Sequence, residues 1–299
     1  MNAIDFSCKH HILLEDEGGR LTPMDEPYFR ADEIRPGTWK ILSDGDFSYL
    51  LEGSDEAIVI DSGYGAGNIR EFCQTLTSKP VLRIANTHDH FDHTANNCYF
   101  DLSYMSAQTK PLATLPFPSF AGIVFPRDYS IEIVADGDII PLNGRDLLVF
   151  EIPDHAVGSL AFLDRKARIL FSGDELGMPS GKPLNGSVER WVRYIGKLLH
   201  HRSEYDVIYG GAGEIDPFIA ERYLENARHI LTGYEGVRFE PNPFPGSARI
   251  TPEGKTVWKR RFPHPGDEPK DWNDNHDLKR VMYYADCGII YDIRKIHEV

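Results

Sequence analysis

Four side chains spaced to hold metal ions fall between positions 88 and 93, namely His88, His90, Asp92 and His93, in the stretch Thr87-His88-Asp89-His90-Phe91-Asp92-His93. They directly follow an apolar run, Val81-Leu82-Arg83-Ile84-Ala85. Residues two apart on an extended segment point the same way, so His88 and His90 converge on one point. Asp92 and His93, past the end of the strand, turn toward a second. Two more candidates end later apolar runs: His155 in Pro153-Asp154-His155 and Asp174 in Leu170-Phe171-Ser172-Gly173-Asp174. A lone buried histidine usually just satisfies a hydrogen bond. Three histidines and an aspartate this close repel when protonated and lose solvation when buried, so they call for a compensating cation. The chemistry implied is metal-assisted hydrolysis, because a bound divalent ion brings the pKa of water toward about 7.

The elements that must position these residues are legible from pattern. Strands are expected at 38–42, 48–52 and 57–60, the last ending in Asp61-Ser62-Gly63. Ile69, Phe72, Cys73 and Leu76 recur at helical spacing. Strands resume at 131–134, 138–142 and 147–152, and a second hairpin, 159–163 with 168–171, ends in Ser172-Gly173-Asp174. Both hairpins open with serine and close in an acidic turn, a faint repeat that predicts two halves facing one cleft. Val188, Trp191, Val192, Ile195, Leu198 and Leu199 predict a helix capped by Ser187. A strand at 206–209 then runs into Gly210-Gly211-Ala212-Gly213, and Asp216-Pro217 opens another helix. The segment 107–130 mixes prolines with Phe117, Phe120, Phe125 and Tyr129, the composition of a loop core or a substrate lid. The organisation expected is an N-terminal arm over 1–35, a catalytic domain over 36–235 and a Pro/Gly-rich extension over 236–299 that ends in a hairpin and packs on the domain.

The 299 residues carry 46 acidic against 32 basic side chains, a net charge of -14. Such a surface repels polyphosphate, which argues against nucleic acid or an anionic membrane as partner. A small-molecule substrate is expected, with a homodimer compatible. Arg127, Lys182, Arg190 and Arg193 are candidates to hold a substrate carboxylate. The four cysteines form no CxxC pair, and the first residues lack an export signal. Cytoplasmic residence with free thiols is therefore expected.

Thr-His-Asp-His-Phe-Asp-His resembles the HxHxDH motif of the metallo-β-lactamase superfamily. The turn at Asp61, the Pro-x-His context of His155 and the Ser-Gly-Asp context of Asp174 follow in the family's order. The resemblance implies an α/β fold, the αββα sandwich of two mixed β-sheets flanked by helices. It implies that His88, His90 and His155 hold one metal, Asp92 and His93 a second, and Asp174 bridges them, with Asp61 orienting a ligand. The ions implied are Zn²⁺, one or two, with Fe or Mn compatible. His88, His90 and Asp92 would carry the catalysis, by a metal-activated hydroxide acting on an ester, lactone or thioester. A β-lactam or amide hydrolase, or a non-catalytic small-molecule binder on the same fold, are the alternatives. One departure stands out. The family's last ligand is a histidine in a Gly-His-Gly turn, and here the matching turn reads Gly211-Ala212-Gly213. Glu214, His264 and His276 are candidate substitutes; otherwise the second site is weakened.

Overall fold

The computed structural model describes residues 13–15, 19–23, 26–43, 45–65, 67–114, 129–239, 246–250, 256–260 and 276–298. The expected lid residues Phe117, Phe120 and Phe125, the cation Arg127 and His264 lie outside them, as does the side chain of His276.

A short hairpin of β1 (Leu13–Glu15) and β2 (Leu21–Pro23) comes first. Seven strands then form one sheet in chain order: β3 (Phe29–Arg35), β4 (Thr38–Ser43), β5 (Asp46–Glu52), β6 (Ala57–Ile60), β7 (Val81–Ala85), β8 (Leu102–Met105) and β9 (Ser130–Ile133). The first four are antiparallel and joined by short turns. From β6 onward the pairs are parallel, which requires crossovers. The helices α1 (Ile69–Leu76), α2 (Phe91–Thr94) and α3 (Thr109–Ala113) lie within these connections.

The second sheet contains β10 (Ile139–Ile140), β11 (Leu147–Glu151), β12 (Leu160–Asp164), β13 (Ile169–Phe171), β15 (Val207–Gly210) and β16 (Gly213–Ile215). Between β13 and β15 the chain passes through β14 (Lys182–Pro183) and α4 (Val188–His200), the crossover for the parallel β13–β15 pair. After α5 (Ile219–Leu231) and β17 (Val237–Arg238) comes a separate hairpin, β18 (Gly246–Ile250) with β19 (Thr256–Arg260). The terminal hairpin, β20 (Lys279–Tyr284) and β21 (Cys287–Asp292), joins β14 and β17 in a four-stranded sheet.

Strand alternation divides the core into layers. On β6, Ile58 and Ile60 face the second sheet and pack with Leu147, Val149, Leu160, Phe162 and Phe171. Ala57 and Val59 face the other way, onto Ile69 and Cys73 of α1. Trp191 and Ile195 of α4 and Tyr223 and Ala227 of α5 cover the outer face of the second sheet. This is the αββα sandwich expected from the motif.

The structure differs from expectation at two edges. The stretch expected to be an N-terminal arm up to residue 35 already contains β3, an edge strand whose charged, half-exposed face weakens its hydrophobic signature. The helix after Asp216-Pro217 begins at Ile219, with Asp216 Oδ1 accepting from the Phe218 amide at 2.8 Å. The C-terminal hairpin docks on α5, where the buried Asn226 Nδ2 donates to the carbonyls of Met282 and Cys287, both at 3.0 Å.

Candidate metal centre

The strand β7 ends at Ala85, and His88 and His90 occupy the loop before α2, whose second and third residues are Asp92 and His93. His155 enters from the loop between β11 and β12, and Asp174 from the turn after β13. Both sheets thus deliver ligand-capable side chains to one rim, and all six sequence candidates meet there. One donor atom from each of His88, His90 and His155 lies within 4.8 Å of the other two. The same limit holds for His88, His93 and Asp174, and for Asp46, Asp92 and His93.

Hydrogen bonds around the cluster set the tautomers. Asp61 is 3% exposed and carries φ +58°, a left-handed conformation that Asp tolerates better than most residues. Its Oδ1 accepts from the Thr87 amide at 2.8 Å, and its Oδ2 accepts from the Thr87 hydroxyl at 2.7 Å. Oδ2 also lies 2.8 Å from His93 Nδ1, which must therefore carry the proton. The Thr87 hydroxyl has spent its proton on Asp61, so at 3.0 Å from His88 Nδ1 it can only accept. His88 is thus also protonated at Nδ1. In the singly protonated rings both Nε2 atoms carry lone pairs, and both are buried and without a hydrogen-bond partner. Orphaned acceptors in a dry site are costly. A divalent cation removes that cost, and a set of imidazoles and carboxylates suits one.

Electrostatics of the metal-free cluster favour neutral rings at His88 and His155 and a charged ring at His93. Burial pushes His88 well below the usual imidazole range, and the neighbouring rings of His93, His90 and His155 push it further. Burial takes His155 to about 4, with Asp174 opposing. Burial would raise the Asp174 carboxyl, but the charge of the His93 ring, whose Nε2 lies 3.6 Å away, outweighs it and holds it down to about 2. Burial also works against charge on His93, yet the Asp61 and Asp174 carboxylates raise it overall, so a cation bound at Nε2 displaces a proton. His90 Nδ1 and His155 Nε2 face each other at 3.1 Å, and His155 Nε2 lies 3.6 Å from Asp174 Oδ2.

Close backbone approach explains the glycine of the Asp174 turn. Gly173 has φ +50°, and a Cβ there would sit 2.5 Å from Thr87 Oγ1. The His155 loop is held from below by Glu175, whose Oε1 accepts from the amides of Asp154 at 3.0 Å and His155 at 2.6 Å. Glu175 is paired in turn with the buried Lys182 at 3.3 Å.

Several expectations are refined. The residue of the Gly210–Gly213 turn that faces the cluster is Gly211: its Cβ would lie 2.3 Å from Asp174 Oδ1 and 3.1 Å from His93 Cε1, whereas Ala212 is exposed. Glu214 is exposed and accepts from the Tyr209 hydroxyl at 3.2 Å. Of the candidate substrate cations, Lys182 serves Glu175, Arg190 donates to the Pro153 carbonyl at 2.6 Å, and Arg193 pairs with Glu298 at 2.6 Å. Sequence reasoning missed Asp46 and Glu175. Adjacent carboxylates in Asp174-Glu175 were an available signal for the second; nothing local marked the first.

A model of the metallo-β-lactamase superfamily matches residues 44–234, and the chain belongs to that superfamily. Among curated relatives, the human acyl-coenzyme A thioesterase MBLAC2 is 29% identical over 178 residues, covering 49% of this chain and 61% of the relative. The atrochrysone carboxyl ACP thioesterase of Aspergillus chevalieri is 23% identical over 183 residues, covering 57% of this chain and 54% of the relative. The chain thus spans about three fifths or less of the length of these relatives. A metallo-β-lactamase structure from Erythrobacter litoralis aligns with TM-score 0.53 at 16% identity, over 68% of this chain and 97% of that one. One from Pontibacter korlensis aligns with TM-score 0.52 at 16% identity, over 67% and 99%. At such identities the likeness is one of fold.

Proposed function

We propose that this protein is a metal-dependent hydrolase of thioesters, with an acyl-coenzyme A or acyl-carrier thioester as the substrate class. The observation that carries the metal is the pair of buried, partnerless Nε2 atoms on His88 and His93, both turned to the cluster because Thr87 and Asp61 engage the Nδ1 atoms. The choice of thioester over ester or lactone is supported by the names of the relatives above, two of which are thioesterases.

In this reading His88, His90 and His155 would hold one cation, Asp92 and His93 would serve a second, and Asp174 would contribute to the centre beside them. Zn²⁺ is the first candidate, with Mn or Fe compatible with the oxygen and nitrogen donors. When bound, such ions supply Lewis acidity, drawing the pKa of water toward about 7 and polarising a carbonyl. The chain's own groups do the rest. Asp61 and Thr87 keep two imidazoles in the acceptor tautomer. The half-buried Asp92 can hold the proton released by the nucleophile and pass it to the leaving thiolate. No serine or cysteine nucleophile is required. Among the described residues, no helix is long and apolar enough to cross a membrane. A reducing, cytoplasmic setting belongs to the same proposal, supported by the buried free thiols of Cys73 and Cys287.

The test is hydrolysis of short- and long-chain acyl-coenzyme A, an aryl ester and a lactone by metal-depleted and reconstituted protein. Activity that is lost on chelation, restored by metal and highest on thioesters is expected. Chelator-insensitive turnover, or none with Zn²⁺, Mn²⁺ or Fe²⁺, overturns the reading.

A further inference from the structure

Asp46 lies at the start of β5, in a hairpin turn that carries no recognisable motif. Two hydrogen bonds fix that strand end against the Gly210–Gly213 turn. The Phe47 amide donates to the Gly211 carbonyl at 2.9 Å, and the Tyr49 hydroxyl donates to the Gly210 carbonyl at 2.6 Å. A Cβ on Gly213 would meet the Phe47 ring at 3.2 Å. The strand that bears Asp46 is thus bonded to the turn from which the family's last histidine projects.

The turn itself has no ligand to offer. Gly211 faces Asp174 so closely that even a methyl group would clash. Meanwhile a carboxylate oxygen of Asp46, one of Asp92 and a ring nitrogen of His93 all lie within 4.8 Å of one another. Ligands bonded at about 2.1 Å around a tetrahedral ion stand roughly 3.4 Å apart, so small side-chain adjustments bring these three onto one cation. The cluster is more than a group of acids. His93 is fully buried, and its Nε2 is without a hydrogen-bond partner. That atom stands 3.7 Å from Asp92 Oδ2 and 3.6 Å from Asp174 Oδ2. The Tyr64 hydroxyl steadies Asp46 by a hydrogen bond.

We propose that Asp46 replaces the missing histidine as a ligand of the second cation, giving that site one imidazole and the carboxylates of Asp46, Asp92 and Asp174. This rests on the metallohydrolase reading above and deepens it. The consequence is chemical. The His88, His90 and His155 site is rich in nitrogen, whereas the second site is rich in oxygen and carries one more negative charge than a histidine would give. Oxygen donors favour harder ions, so the second site should prefer Mn²⁺ or Fe²⁺ over Zn²⁺ relative to the first.

The experiment is titration of the metal-free full chain with Zn²⁺ and with Mn²⁺, following stoichiometry by elemental analysis and bound Mn²⁺ by electron paramagnetic resonance. The wild type, Asp46→Ala, Asp46→Asn, His93→Ala and His155→Ala are compared. The wild type should take two equivalents. Both Asp46 variants should keep the first with unchanged affinity and weaken the second by about tenfold or more, most clearly for Mn²⁺. The near-isosteric Asp46→Asn guards against a folding defect, checked by unfolding of each metal-free variant. Two equivalents bound by Asp46→Ala as tightly as by wild type overturns the assignment of Asp46, and the metallohydrolase reading survives if His155→Ala still loses the first. Binding of a single equivalent by wild type also overturns it. No specific metal uptake by wild type overturns both.

Discussion

Oδ2 of Asp61 lies 2.8 Å from Nδ1 of His93, and through this one contact a residue on the β6 turn decides which nitrogen of a histidine on α2 is free. The same carboxylate acts on His88 through the Thr87 hydroxyl. One buried aspartate therefore prepares two imidazoles. Asp61→Asn replaces one acceptor oxygen with a donor that faces either Thr87 or His93. Metal affinity is expected to fall by about 10–100-fold. The metal-free protein should also lose about 1–3 kcal/mol, since a buried polar group is left unpaired. Metal titration and denaturant unfolding measure the two effects; unchanged affinity would refute the tautomer argument.

Gly173 allows the Asp174 turn to pass over Thr87. In Gly173→Ala the new methyl meets Thr87 Oγ1 at 2.5 Å, on a backbone with φ +50°. A loss of about 1–3 kcal/mol is expected from strain. The displaced hydroxyl should weaken metal binding as well, which Gly137→Ala, with nothing within 4 Å of its added methyl, should not do. Equal effects of the two substitutions on metal affinity would contradict the role given to Thr87.

Lys182, Glu175 and Asp154 form a buried charge group beneath His155, with Lys182 Nζ 3.3 Å from Glu175 and 3.8 Å from Asp154. Lys182→Met leaves two buried carboxylates uncompensated and should cost about 3–5 kcal/mol. Lys182→Met combined with Glu175→Gln should recover part of that loss, because the remaining buried charge falls. Unfolding free energies of the four proteins give the coupling. Strict additivity would remove this support for the His155 loop.

The metal-free protein should lose stability in acid. His155 has a folded pKa of about 4, below its ordinary value of 6.5, and His88 is shifted the same way. A neutral buried histidine stabilises fully above the unfolded pKa, and its contribution falls as pH drops toward the folded value. Asp174, held to about 2 against an ordinary 3.8, extends the loss below that range. His93 is shifted upward, so its contribution has the opposite sign and fades as pH rises. The unfolding midpoint of metal-free protein should therefore drop between pH 6.5 and 4, and His155→Gln should flatten part of the drop. An unchanged slope in His155→Gln would show that His155 is not buried as described.

The HxHxDH run, its strand and the two acidic turns were legible because each is a local pattern with a chemical reason. The αββα architecture followed from the resemblance those residues carry. What was not legible depends on pairings across the fold. Asp46 looks like any turn acid until its neighbour Phe47 is seen bonded to Gly211, far along the chain. Lys182 reads as a surface cation, yet it is 1% exposed, on a strand paired with β21 and with its ammonium beside Glu175 and Asp154. The one-residue difference between Ala212 and Gly211 was equally hidden, since the direction of a side chain on a tight turn is set by backbone geometry rather than by residue order.

The most direct test of the account is crystallography of the metal-loaded protein with anomalous data at the edge of the added metal. The account predicts an anomalous peak about 2.0–2.1 Å from Nε2 of His88, with a second bonded to Nε2 of His93. An ordered site with no peak in the cluster, or with either Nε2 turned to a protein donor instead, would contradict it.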